Sequence, residues 1–372
     1  MNLDTTFRAQ APTISATVPT ERLLPGIHAL RGIAAVAVVL FHLGHLTQVS
    51  LPSLLAFVQA DFAKGVYLFF VLSAFSLMHS TERHVGLPNW TLVFFIKRFW
   101  RIAPLFYAVL CVMVAWQIFA RGQFDLAQIV LNLTFATASA PWEGIVPAGW
   151  TVGVEMLFYA MFPVLLLTVR STRAAWILSV IAVAITCASR VVLFRREGDW
   201  ANAMFAPNLC FFAFGLLAYR IVHNANWGIA ARRAAGVLAV AMMLALFGLD
   251  AGSPLRQGAT LGTVFWGIAF LALCIWLGAG ASGHGSRTLH YLGERSYSIY
   301  LMHPLVLWLL RSRIESVYAF LTPRLGDLAA WLACACLVLV TLLLVCEGTY
   351  RLIELPGIRV GARINRWLIA RG

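Results

Sequence analysis

The chain of 372 residues is 61% hydrophobic and only 12% charged, with a mean hydropathy of +0.82; a soluble globular protein carries about twice that charge. Apolar runs of about 20 residues recur from Ile27 to Cys346, which defines an all-α, polytopic transmembrane helix bundle and excludes a soluble domain. No alternating ten-residue pattern supports an outer-membrane barrel, and the net charge of +13 reads as basic residues flanking membrane spans rather than a nucleic-acid surface.

In chain order, residues 1–22 are rich in Thr, Pro and Ala and read as a flexible cytoplasmic tail, without the apolar core and cleavage site of a signal peptide. About ten spans follow, near 25–46, 64–80, 102–120, 151–169, 173–190, 203–222, 233–250, 258–279, 296–311 and 327–348. The stretch 124–140 is apolar but short, and fits an interfacial or re-entrant helix as well as a span. Residues 357–372 form a basic cytoplasmic tail. The seven cysteines fall in or beside apolar segments with no metal-ligand spacing, so they read as small packing residues, and no metal site is expected.

Placing both termini in the cytoplasm puts about two thirds of the 28 basic residues on the inside. Arg190, Arg195, Arg196, Arg311, Arg313 and Arg324 run against this N-in, C-in assignment. On this orientation Arg31 lies near the cytoplasmic end of the first span, His42 and Glu155 in the outer half, His303 at mid-depth, and Arg98 and Arg101 at the cytoplasmic entrance of the third span.

The first span holds two ionisable groups, Arg31 and His42. Eleven residues return almost to the same helix face at about 100° per step, with a rise of roughly 16 Å. Ionisable side chains inside a span are costly and point to function. His28 and His45 share the band, and Glu155, in Gly149-Trp-Thr-Val-Gly-Val-Glu155, lies at matching depth. A carboxylate that binds one imidazole nitrogen raises basicity at the other, as a general base requires. The plainer alternatives are a packed core histidine and an acid at the positive end of a helix dipole. Phe94-Phe-Ile-Lys-Arg-Phe-Trp-Arg-Ile-Ala-Pro104 interleaves Lys97, Arg98 and Arg101 with aromatic rings. It suits a phosphate clamp, or simply a basic membrane anchor. Ser296, Tyr300 and His303 recur at helical spacing, and Ser73 and Ser76 sit in the second span; such groups also glue helices together.

The chain resembles the acyltransferase-3 family of integral-membrane O-acyltransferases, over about Pro25 to Pro356. The hallmark of a basic residue, ten intervening residues and a histidine is met by Arg31 and His42. Gly65-Val-Tyr-Leu-Phe-Phe-Val-Leu-Ser-Ala-Phe75 is similar to the second-span signature, with Ala74 in place of the usual Gly. Lys97-Arg-Phe-Trp-Arg-Ile-Ala-Pro104, Trp150-Thr-Val-Gly-Val-Glu-Met-Leu-Phe-Tyr159, Ser296-Tyr-Ser-Ile-Tyr-Leu-Met-His303 and Glu354-Leu-Pro356 match the later signatures in order.

The resemblance makes residues 23–356 one acyltransferase domain of the bacterial inner membrane, without a permanently bound cofactor. It implies transfer of an acyl group, by default acetyl, from cytoplasmic acetyl-CoA to a hydroxyl of a membrane-linked or extracytoplasmic carbohydrate or glycolipid. His42 is then the expected base or acyl carrier, with Glu155 and Arg31 as its catalytic partners. Lys97, Arg98 and Arg101 would bind the donor, and Tyr300, His303, Ser73 and Trp150 the reacting groups. The rival reading is a proton-coupled carrier or flippase, which also uses buried Arg, His and Glu; a membrane scaffold leaves the depth-matched charges unexplained.

Overall fold

The computed structural model describes residues 24–248, 260–280 and 286–370. The expected 1–22 tail, the linker between the seventh and eighth spans, and the last two residues lie outside them. Among the described residues there are helices and no strands, and nine segments are long and apolar enough to cross a membrane.

Helix α1 (Pro25–Leu46) opens on a proline, whose missing N–H costs nothing in a first turn. The short α2 (Ala56–Asp61) leads into α3 (Gly65–Thr81), which is buried along most of its length. Helix α4 (Trp90–Arg121) has 32 residues, about 48 Å, and exceeds the ~30 Å hydrocarbon thickness. The sequence reading started this span at residue 102 because Lys97–Arg101 breaks the hydropathy. The helix itself runs three turns further, carrying those cations on its extension.

The open question at 124–140 resolves into α5 (Leu126–Leu133), eight residues and only about 12 Å long, which does not span. Asp125 caps it, accepting from Ala127 N at 2.8 Å. Next come α6 (Trp150–Thr168), α7 (Thr172–Glu197) and α8 (Leu209–Asn224). The sixth expected span began at 203, but residues 198–208 form short 3₁₀ turns and the helix starts at Leu209. Helix α9 (Ile229–Gly248) lies at the rim against α10 (Thr260–Ala279), whose inner face joins the core. Apolar side chains turned outward on α7 and α9, such as Val180 at 65% and Val237 at 71% exposure, mark surfaces that only lipid would cover.

A short α11 (Arg287–Glu294) packs across α1. A Cβ on Gly293 would stand 2.4 Å from the His28 carbonyl, so the contact admits only glycine there. Helix α12 (Ser296–Thr349) is two legs joined at Gly326, whose φ of 80° and ψ of 164° are not helical. Cys334 Sγ reaches back to the Ile314 carbonyl at 3.5 Å across that turn, so the legs lie side by side. This is the pair of spans expected near 296–311 and 327–348, which brings the legs long enough to cross a membrane to ten among the described residues. The carboxy-terminal segment read as a basic tail is, through Ile369, an amphipathic helix, α13 (Leu355–Ile369), entered by a π-helical turn at Tyr350–Glu354.

The core joins α1, α3, α4, α6, α8, α10 and the first leg of α12 around Phe70, Phe75, Phe158 and Phe212. Tyr297 Oη donates to the Ile102 carbonyl at 2.9 Å, and Ser298 Oγ to Glu354 Oε2 at 2.8 Å. These bonds fix the start of α12 against α4 and α13, and so set where His303 falls.

Candidate functional site

His42 and His303 meet in the bundle interior although 261 residues separate them, with His303 Nε2 3.2 Å from His42 Nδ1 and ring centroids 4.8 Å apart. His303 is fully buried and His42 half-buried. Their tautomers follow from the backbone. Residue 304 is proline, so the Tyr300 carbonyl lacks the N–H that a helix would normally supply. His303 Nδ1 takes that place at 2.5 Å, and because a carbonyl only accepts, Nδ1 carries the hydrogen. His303 Nε2 is therefore a lone pair. His42 Nδ1 lies 2.9 Å from the Val38 carbonyl, so it too is the protonated nitrogen. Its N–H is shared between Val38 and His303, and the lone pair of His42 remains at Nε2.

The imidazole that fixes His42 is thus His303, where the sequence reading assigned the role to Glu155. Glu155 instead lies within hydrogen-bonding reach of Ser73, which also contacts Tyr159 Oη at 3.4 Å. Glu155, Arg31, Phe69, Tyr297 and Tyr300 line a cavity of only about 30 Å³, room for about one water. The Arg31 guanidinium lies 5.9 Å from the centroid of Phe69. Charge balance by Glu155 therefore serves Arg31, a shared helix face but some 16 Å away from His42.

Two larger cavities flank this waist. One, about 190 Å³, is lined by Arg31, Lys97, Arg98, Arg101, His28 and Ser80. Arg98 donates to Ser80 Oγ at 2.8 Å and lies over Phe94. The other, about 590 Å³, is lined by His42, Tyr300, Trp150, Tyr67, Lys64 and Asn202 among others. Arg31 is common to the basic cavity and the waist, and Tyr300 and Val66 to the waist and the large cavity. The three form a series. Eight of the ten residues predicted from sequence line it; His303 stands just behind, against His42, and Ser73 behind Glu155, while His45 is exposed at the end of α1.

Sequence reading missed two charged groups, Lys64 on the large cavity and Arg190 behind its wall. Lys64 Nζ donates to Asp61 Oδ1 at 2.9 Å and to the Ala60 carbonyl at 2.6 Å, 5.1 Å from the centroid of Trp266. Arg190, only 2% exposed, donates to the Pro207 carbonyl, Asn202 Oδ1 and Tyr67 Oη at 3.1–3.3 Å. It had been counted only as a topology charge. The signal was available: an arginine deep in an apolar helix is as costly as Arg31.

These features define an integral membrane protein with a histidine on the wall of an aromatic cavity that a narrow waist joins to a cationic one. The sequence matches the acyltransferase domain of the acyltransferase-3 family over residues 24–346, and the chain belongs to that family. It is similar to the exopolysaccharide production protein ExoZ of Rhizobium meliloti (strain 1021), 33% identical over 139 residues, 36% of this chain and 43% of that protein. The match therefore spans less than half the length of that relative. No solved structure matches the chain.

Proposed function

We propose that the chain is a membrane O-acyltransferase that moves an acyl group, by default acetyl, from acyl-CoA to a carbohydrate hydroxyl. The observation that carries this reading is the free Nε2 lone pair of His42, held by His303 on the wall of the larger aromatic cavity, which the waist joins to the cation-lined one. Family membership supports the reaction class, and the exopolysaccharide role in the name of ExoZ favours a polysaccharide or its lipid-linked precursor as acceptor.

In this reading the protein sits in a bacterial cytoplasmic membrane with both ends inside, and the basic cavity opens to the cytoplasm. Arg98, Arg101 and Lys97 hold the donor's phosphates, since arginine forks match phosphate oxygens. Arg31 is too far from His42 to touch the same carbonyl; it guides the donor's slender pantetheine arm through the waist, with Glu155 balancing its charge. The acceptor sugar lies in the 590 Å³ cavity against Trp150 and Tyr67. His42 Nε2 takes the proton of the attacking hydroxyl as its oxygen bonds to the thioester carbon. The positive charge that forms on His42 is met by the lone pair of His303. The C–S bond then breaks, and the departing thiolate takes the proton back from His42. Tyr300, between waist and cavity, helps to seat the reacting carbonyl.

Membranes carrying the wild-type chain should move radiolabelled acetyl from acetyl-CoA into glycan, and His42→Ala membranes should not. Equal labelling by folded His42→Ala protein would refute the assignment. Movement of unmodified glycolipid across the bilayer without labelling would favour a carrier.

A further inference from the structure

A fourth cavity opens beside the basic one, and one of its two walls lies beyond the stretch that matches the family. Helix α13 starts at Leu355, beyond the end of the match at residue 346. It is pressed onto α4 at one end: a Cβ on Gly361 would lie 2.7 Å from Trp100 Cβ, and one on Gly357 2.6 Å from Pro104 Cγ. Further along, the helices part around a groove of about 550 Å³. Trp90 and Phe94 of α4 form one wall, Ala362, Asn365 and Arg366 of α13 the other. Lys97, Arg98 and Arg101 line the end that meets the basic cavity.

Asn365 marks what the groove is built to receive. It is 9% exposed, and its Nδ2 donates to the Val93 carbonyl at 3.1 Å. Its Oδ1 is buried without a hydrogen-bond donor. A buried acceptor without a donor is costly, and a ligand N–H would relieve it. The half-buried Trp90 ring offers apolar aromatic surface to a flat ring, with Phe94 packed behind. The neighbouring cations offer partners to phosphates.

We propose that the groove between α4 and α13 is the seat of the adenosine 3′-phosphate end of the donor, with the base amine on Asn365 Oδ1, the ring beside Trp90 and Phe94, and Arg366 near the 3′-phosphate. This rests on the acyl-CoA reading above. The continuous path from groove to basic cavity to waist lets one extended molecule place its nucleotide here and its thioester toward His42. A membrane lipid would fill the apolar walls but has no need of the Asn365 acceptor.

The test compares acetyl-CoA with acetyl-4′-phosphopantetheine, which lacks the nucleoside, using purified full-length protein in nanodiscs. Arg366→Ala and the groove-filling Ala362→Trp should raise KM for acetyl-CoA about tenfold, as loss of one charge-assisted hydrogen bond implies, and leave KM for acetyl-4′-phosphopantetheine unchanged. Adenosine 3′,5′-bisphosphate should compete with acetyl-CoA, and the inosine analogue, which lacks the amine, should compete about tenfold less well. Equal KM changes for both donors, or none, would overturn the seat while leaving the donor reading intact. A phospholipid that co-purifies, is expelled by Ala362→Trp and resists displacement by the bisphosphate would assign the groove to lipid instead. Wild-type protein that accepts neither thioester would remove the donor reading and the seat together.

Discussion

Replacing His303 isolates the one contact that distinguishes this site from a lone histidine in a membrane. His303 Nε2 accepts from His42 Nδ1 at 3.2 Å, while His42 retains its second bond to Val38 at 2.9 Å. In His303→Leu the tautomer of His42 therefore survives, because Val38 still demands a hydrogen at Nδ1. What disappears is the acceptor that meets the charge on His42 as it takes the substrate proton. A hydrogen bond to an ionised group contributes about 1.5–3 kcal/mol, so kcat should fall roughly 10–150-fold. KM for either substrate should change little, since the interaction strengthens only in the transition state. His303→Gln, whose side-chain oxygen can accept from Nδ1, should recover at least tenfold over the leucine variant. The assay is initial-rate acetyl transfer by purified protein, with thermal unfolding as a check on folding. A folded His303→Leu enzyme with kcat within twofold of wild type would refute the pairing. Gln and Leu variants of equal activity would do the same for the acceptor role.

Arg98→Ala should raise donor KM about tenfold with kcat retained, because it removes a cation from the basic cavity and leaves His42 untouched; titration with acetyl-CoA checks this, and unchanged affinity counts against the clamp. Pro304→Ala should restore the backbone N–H that competes with His303 for the Tyr300 carbonyl, giving a protein at least as stable but slower; a variant of undiminished kcat would show that the proline does not set the tautomer. Arg190→Met should orphan Asn202, Tyr67 and the Pro207 carbonyl in the bundle interior and cost about 3–5 kcal/mol, read as a lowered midpoint of thermal unfolding in detergent. A midpoint equal to wild type would contradict that accounting.

Hydropathy reads the spans well because each helix must cover about 20 residues of hydrocarbon, and both legs around Gly326 were separable on length alone. It reads the ends poorly: the true start of α4 lies in a stretch whose cations mask helix continuation. Arg31, His42 and Glu155 were visible because ionisable groups in apolar runs are costly, and Arg190 carried the same signal unheeded. Pairings are a different matter. The neighbour of His42 lies 261 residues along the chain, and nothing in the local pattern ranks His303 above Glu155 at similar depth. Pro304 held a clue, since a proline after a histidine frees the carbonyl that the ring then binds, but only once the segment is known to be helical. The groove at α13 was illegible because its amphipathic basic helix looks, as a string, like any membrane-proximal tail.

Two sizeable chambers in line through a membrane protein would ordinarily invite leakage. Here the passage between them narrows to about the space of a single water, hemmed by Arg31, Phe69 and Tyr300. Arg31 and Glu155 balance one another at that narrowing, and a space of about one water is too small for a hydrated ion to pass. The resting protein is in this respect electrically tight: a bilayer can hold it without short-circuiting its own ion gradients, even with a catalyst threaded through its thickness.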